Sequence, residues 1–236
     1  MNYNYVLDTH THTLASGHAY STIREMAAAA AEKGLKVLGI TEHAPKMPGS
    51  CREIYFRNLS VVDREYYGVR LLLGCELNIL DFEGHVDLPA EVLKKMDLVI
   101  ASMHTPCMEK GSRSDYTRAY LRVMENPYVH IIGHPDDSRF PVDYPALVRA
   151  AKKTGKVLEL NNHSLDPRGT RVGAEANDLE MLKLCREYKV PVTVGSDAHV
   201  DSMVGNHGHA YRLLEQMDFP EDLVLNHSVE ILKKYV

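Results

Sequence analysis

The chain has 236 residues, 44% of them apolar, which is enough for one large buried core and fits either an α/β barrel or a single open-sheet domain. Its formal charge of −5 lacks the basic excess of a general nucleic-acid-binding surface, and no stretch reaches the roughly 18 apolar residues of a membrane span. No basic segment precedes an apolar run at the N-terminus, so a cytoplasmic protein without a signal peptide or membrane partner is expected. Cys51, Cys75, Cys107 and Cys185 form no Cys-x-x-Cys pair and read as reduced thiols. Histidine is the anomaly: 13 residues, equal to tyrosine and well above the 4 Phe, more than packing explains.

In chain order, Tyr5-Val6-Leu7 is a short apolar run that ends in Asp8-Thr9-His10-Thr11-His12. Extended backbone alternates its side chains, so residues i and i+2 project the same way, about 6–7 Å apart, and His10 and His12 make a candidate pincer for a cation. His18 lies in the loop that follows. Thr22-x-x-Glu25 is a capping box that opens a helix over 22–34, with an Ala-rich body and Gly34 as its stop. A strand at 37–40 is followed three residues later by His43, and a helix is expected over 53–67. A strand at 69–75 ends on Glu76, and the excursion at 77–88 includes a short extra strand at 86–88. A helix at 89–95 leads to a strand at 98–101 with His104 just beyond; a helix at 114–124 leads to a strand at 129–133 ending on His134. A helix at 143–153 precedes a strand at 157–160 that stops at Asn161-Asn162. A helix at 175–188 precedes a strand at 192–194 that ends in Gly195-Ser196-Asp197-Ala198-His199, and helices at 205–217 and 228–235 complete the chain.

Strand and helix alternate seven times with no linker, which implies a parallel sheet with helices outside it. The ligand-type residues stand at strand C-terminal ends, the edge where barrel enzymes assemble their sites, so the expected fold is a distorted (β/α)7 TIM-like barrel forming one domain over 1–236. An open doubly wound sheet is the alternative, but it gathers ligands at one switch point rather than around every strand. The strand-end set is His10, His12, His43, Glu76, His104, His134, Asp197 and His199, joined by His18. Seven His and two carboxylates exceed the needs of one first-row ion and suit two or three ions sharing a bridging carboxylate. His85, His130, His163, His207, His209 and His227 fall in turns, helices, a strand interior or beyond Asn162, and read as non-ligands.

Together the segments Asp8-Thr9-His10-Thr11-His12, His18-Ala19-Tyr20-Ser21-Thr22, Ile40-Thr41-Glu42-His43, Gly74-Cys75-Glu76-Leu77-Asn78, Ser102-Met103-His104, Ile132-Gly133-His134-Pro135, Glu159-Leu160-Asn161-Asn162 and Gly195-Ser196-Asp197-Ala198-His199 span almost the whole chain. In that order they resemble the PHP (polymerase and histidinol phosphatase) superfamily, and within it the YcdX-like phosphatase branch. The resemblance implies three divalent ions per chain, zinc first and manganese or iron as alternatives. One would sit on His10, His12, Glu76 and Asp197, a second on Glu76, His104 and His134, and a third on His18, His43 and His199. Glu76 would bridge the first two ions, and Glu76, Asp197 and His199 are the residues placed at the reaction itself. The implied activity is hydrolysis of a small phosphomonoester by a metal-activated hydroxide. Amidohydrolases share the opening His-x-His, but they place a carboxylated Lys where this chain has His104.

Three divalent ions would carry the formal charge from −5 to about +1, which gives an acidic protein an electropositive pocket for an anionic substrate. Arg52, Arg113, Arg139, Arg168 and Arg171 fall in expected loops on the ligand edge, where a guanidinium could grip phosphate; Tyr20 and Asn162 are candidates to orient ligands. No long basic groove interleaved with aromatics is present, which disfavours a polynucleotide. A histidinol-phosphate phosphatase or a PHP-type exonuclease would share the metal core, and a non-catalytic metal-binding regulatory module is the alternative of another class. A homo-oligomer is compatible with the sequence, which does not specify one.

Overall fold

The computed structural model describes residues 5–236, so the first four residues of the stretch read for a signal peptide lie outside the described residues. Seven parallel strands form a nearly closed barrel: β1 (Leu7–Asp8), β2 (Val37–His43), β4 (Val69–Asn78), β5 (Leu98–Ser102), β6 (Ile131–Ile132), β7 (Val157–Asn161) and β8 (Val192–Gly195), each hydrogen-bonded to the next in that order. A short strand β3 (Glu65–Tyr66) pairs antiparallel with the start of β4. The principal helices are α1 (Ile23–Glu32), α2 (Glu53–Arg57), α3 (Ala90–Leu93), α4 (Arg113–Val123), α5 (Tyr144–Thr154), α6 (Ala174–Tyr188), α7 (Gly208–Gln216) and α8 (Val229–Leu232). Among the described residues no helix is long and apolar enough to cross a membrane, and the four cysteines are free.

Two expected elements are corrected. The helix at 53–67 stops at Arg57, passes through a 3-10 turn at Leu59–Val61, and gives way to β3. Tyr67 and Gly68 both adopt positive φ, 55° and 76°, and this tight reversal turns β3 back onto β4, which a helix could not do. The extra strand at 86–88 reduces to one bridge between Ile79 and Val86.

Alternation along the strands separates two apolar layers. Leu7, Val37, Leu72, Leu98, Ile100, Ile131 and Val157 fill the barrel interior, whereas Leu38, Ile40, Leu71, Leu73 and Val99 pack under the outer helices. On β4 the interior row continues from Leu72 through Gly74 to Glu76, so the period of two that buries Leu72 also aims Glu76 into the barrel mouth. Gly74 has to be glycine, since a Cβ there would lie 1.7 Å from the carbonyl oxygen of Leu98.

The seam between β8 and β1 is closed by single contacts rather than a ladder. At the mouth His12 N–H donates to the Ala198 carbonyl at 2.8 Å and Asp197 N–H to the His10 carbonyl at 2.9 Å. At the floor the C-terminal segment enters the gap, with Val224 bridged to Val192 and Val6 N–H donating to the Asn226 carbonyl. The Asn226 side chain accepts from Val194 N–H at 2.6 Å and donates to the carbonyls of Leu7 (3.0 Å) and Val194 (2.7 Å), acting as a one-residue substitute for an eighth strand. Leu225 and Leu232 then plug the interior from below.

Candidate metal centre

All nine residues of the expected ligand set converge at the C-terminal mouth of the barrel. His10 and His12 bring their Nε2 atoms to 3.1 Å, and Asp197 Oδ1 lies 3.3 Å from His12 Nε2 and 3.7 Å from His10 Nε2. Glu76 Oε2 lies 3.4 Å and 3.5 Å from the same two nitrogens, while Glu76 Oε1 lies 2.8 Å from His134 Nε2 and 3.2 Å from His104 Nε2. His18 and His199 bring their Nε2 atoms to 3.1 Å, with the His43 ring 4.9 Å and 5.8 Å from theirs. His43 also leans inward, its Nδ1 2.7 Å from Glu76 Oε2, so it stands between the groups rather than wholly in one.

Three clusters among the described residues have donor atoms within 4.8 Å of one another: His10, His12 and Glu76; His43, Glu76 and His104; and His12, His43 and His199. Imidazole nitrogens and carboxylate oxygens are the donor types that first-row divalent ions take. The Glu76 Oε2 to His43 Nδ1 contact tests the fit: both atoms are buried, yet neither has a hydrogen-bond partner. Buried polar atoms left in this state are costly, and a shared cation satisfies both.

The ring nitrogens that face away from the centre are held. His10 Nδ1–H donates to Glu159 Oε1 at 2.7 Å, His12 Nδ1–H to Ser16 Oγ at 3.1 Å, His104 Nδ1–H to Asn78 Oδ1 at 2.8 Å and His199 Nδ1–H to the Asp197 carbonyl at 2.9 Å. Four rings therefore keep Nε2 free to ligate, the tautomer a metal centre needs. Ser16 Oγ accepts from His12 and from His43 N–H while donating to Glu42 Oε2 at 2.6 Å, and Glu159 Oε2 accepts from His134 N–H at 2.8 Å. Backbone strain also concentrates here: His134 and Asp197 adopt φ of 28° and 53°, a region costly for residues with a Cβ and typical of functional turns.

Charge inside the mouth is strongly coupled. Burial alone would raise the Glu76 carboxyl pKa, but His104, His10 and His43 hold it well below the usual range; burial opposes His10, Arg171 and the other neighbours of Asp197 in the same way and also loses. Burial lowers the His10 pKa, and the carboxylates of Glu159, Glu76 and Asp197 outweigh that and raise it. His12 moves down, through burial first and then the neighbouring His43 and His199.

Above the cluster opens a cavity of about 430 Å³. Of the five loop arginines, Arg171 is the one aimed at the centre: it is 13% exposed, and its guanidinium donates to Asp197 Oδ2 (3.1 Å), Asn161 Oδ1 (3.1 Å) and Ser164 Oγ (3.0 Å). Arg139 also reaches the cavity but is clamped on Asp137; Arg168 is clamped on Asp166 and 82% exposed, Arg113 donates to the Val142 carbonyl, and Arg52 precedes α2. The side chains of Tyr20 and Asn162, candidates to orient ligands, make no hydrogen bond to the ligand set, although the Tyr20 backbone N–H donates to the His199 carbonyl at 2.8 Å. The Tyr20 side chain is 76% exposed, and Asn162 Oδ1 accepts from His209 N–H and Ala210 N–H at the start of α7. That orienting work falls to Asn161, whose Nδ2 donates to Glu159 Oε2 and Asp197 Oδ2. Of the six other histidines, His163 alone lines the cavity.

The PHP domain family matches residues 8–166 and the PHP-associated family matches residues 175–223. A probable phosphatase of Clostridium novyi is 45% identical over 98% of this chain and 94% of its own length. A probable phosphatase of Caldanaerobacter subterraneus is 46% identical over 100% of this chain and 92% of its own. Among solved structures, histidinol phosphate phosphatase from Lactococcus lactis, complexed with zinc, L-histidinol and phosphate, superposes with a TM-score of 0.65 at 21% identity, covering 92% of this chain and 95% of that one. This last likeness is one of fold.

Proposed function

This chain belongs to the PHP-domain family, and from that premise we propose that it is a metal-dependent phosphatase that hydrolyses a small phosphomonoester at a three-ion centre. His10, His12, Glu76 and Asp197 would hold one ion, Glu76, His104 and His134 a second, and His18, His43 and His199 a third, with zinc preferred and manganese or iron as substitutes. Divalent ions bound there supply Lewis acidity toward phosphoryl oxygen and an activated water at neutral pH. Around them the chain's own groups have separate tasks. Glu76 and Asp197 stay ionised and offset cationic charge at the mouth floor. Arg171 is fixed by three hydrogen bonds before substrate arrives and presents its remaining donors to a phosphoryl oxygen, with little reorganisation on binding.

The observation that carries this reading is the Glu76 carboxylate, fully buried and faced by five imidazoles, with one oxygen 2.7 Å from a ring nitrogen it does not hydrogen-bond. The test is metal content per chain after purification without chelator, run beside aryl phosphate hydrolysis with zinc and manganese for the wild type and Glu76→Gln. The expected result is near three ions and metal-dependent turnover in the wild type, both largely lost in the variant. A Glu76→Gln protein that remains loaded and active would refute the assignment.

A further inference from the structure

The cavity above the cluster has two unlike walls. Arg171 and Asp197 form an ionic one. Met47, Met103, Pro106 and Phe140 come from the loops after β2, β5 and β6, the contiguous side of the barrel across from β7 and β8, and give that side of the lining its apolar groups. Met103, Phe140 and Met47 are 2%, 7% and 9% exposed, so each is held by its packing and offers the cavity a narrow, fixed apolar edge. Thioethers adapt to ligand shape and contact aromatic edges favourably.

The cationic inventory is equally restrictive. Two guanidinium groups line the cavity, and Arg139 is held by Asp137, with Nε 2.8 Å and 3.0 Å from the two carboxylate oxygens and a terminal nitrogen on the same group. Arg171 is likewise paired with Asp197, so beyond the metal-ligand set each guanidinium of the lining already has its own carboxylate. Thr105 and Thr170 add two hydroxyls to the lining and His163 an imidazole, and Asp137 is taken up by Arg139.

Building on the phosphatase reading above, we propose that the methionine-rich wall is the leaving-group subsite and that the substrate is a monophosphate ester of a compact, uncharged, mainly apolar or aromatic alcohol. A sugar would press hydroxyls against thioethers with no partners, and a buried unpaired hydroxyl is penalised. A bisphosphate would bring a second dianion to a wall without a free cation. The cavity's size, near the lower end for small-molecule sites, keeps the alcohol short.

The test is a series of esters whose leaving alcohols have nearly equal basicity, namely propyl, pentyl and phenylpropyl phosphates, with glycerol phosphate, a somewhat better leaving group, as the polar counterpart, assayed on the zinc- or manganese-loaded enzyme. Each methylene entering the wall is expected to raise kcat/KM about fourfold, so pentyl exceeds propyl by roughly 15-fold, with the gain in KM because the contact is made in ground and transition state alike. Met47→Gln and Met103→Gln should each cut the pentyl-to-propyl ratio at least about threefold at unchanged metal content. A pentyl-to-propyl ratio of one or less, glycerol phosphate equal to or better than propyl, or an unchanged ratio in both variants would overturn the assignment. Absence of hydrolysis of every ester would refute the phosphatase reading instead. In that case, calorimetry with pentylphosphonate and methylphosphonate decides the wall by itself: tighter binding of the longer chain supports it, and equal or no binding overturns it.

Discussion

Replacing Glu159 by glutamine removes one charge and almost no volume from a buried residue that touches two expected ligands. Its Oε1 accepts from His10 Nδ1–H at 2.7 Å and its Oε2 from His134 N–H at 2.8 Å. An amide has one acceptor atom, so it can serve His10 or His134 but sets a donor against the other. Loss of one hydrogen bond to a charged group corresponds to about 1.5–3 kcal/mol, or about 10- to 150-fold. Partners of metal-bound histidines commonly show about 10- to 100-fold effects, so the two routes to the magnitude agree. The assay is competition of the protein with a chelator of known affinity, followed by calorimetry in buffers of different ionisation enthalpy. Affinity at the His10 position should fall by that factor. The number of protons released on loading should also fall, since the Glu159 carboxylate is the largest charge that raises the His10 pKa against its burial. Wild-type affinity within about threefold, with unchanged proton release, would refute the view that Glu159 sets the His10 ring.

Further outcomes follow from other parts of the chain. Arg171→Met should lower kcat/KM about 10- to 150-fold and weaken inhibition by inorganic phosphate in parallel, with metal content retained; Arg171→Lys should not restore it, since an ammonium cannot reproduce the fork held on Asp197, Asn161 and Ser164. His130 accepts from Val99 N–H and must be neutral to do so; burial and then Lys156 push its pKa down to about 4. A base depressed in the folded state binds fewer protons than in the unfolded chain, so its effect is absent above about pH 6.5 and costs stability as pH falls toward 4, by about 3 kcal/mol in full. His130→Asn keeps an acceptor in place and should flatten that part of the pH dependence of chemical denaturation; identical wild-type and variant slopes would count against it. Gly74→Ala should destabilise by at least about 3 kcal/mol, seen as a Tm lowered by about 6–12 °C, because its Cβ meets the Leu98 carbonyl in a packed barrel wall.

What could be read from the sequence is what backbone geometry dictates. A period of two carries Leu72 and Glu76 to the same face, and six apolar runs ending in ligand-type residues locate the mouth. The hairpin at 65–70 was hidden because Tyr66, Tyr67 and Gly68 suit a turn or a ragged helix end, and pairing to β4 is a contact beyond local propensity. The supporting carboxylates Glu42 and Glu159 were passed over, although each sits in an otherwise apolar strand, where a buried charge must have partners. Among the arginines the distinguishing signal was also local: Arg139 and Arg168 each follow an aspartate by two residues and bind it, whereas Arg171 has no such neighbour and reaches Asp197 across the mouth. Strand register, which local sequence does not carry, decides that Asn161 rather than the adjacent Asn162 faces the ligands.

The Asn226 staple ties assembly order to chemistry. It joins Leu7 to Val194 from a position 219 residues beyond Leu7, so the two strand edges stay open until the tail has been made. His10 and His12 arrive on one side of that opening, Asp197 and His199 on the other. In a chain without that tail the floor of the seam loses its clasp, and the contacts of His12 with Ala198 and of Asp197 with His10 are left to hold the two half-sets of ligands together. Trimming the C-terminal segment is therefore expected to weaken metal binding without removing a ligand, read as metal content per chain.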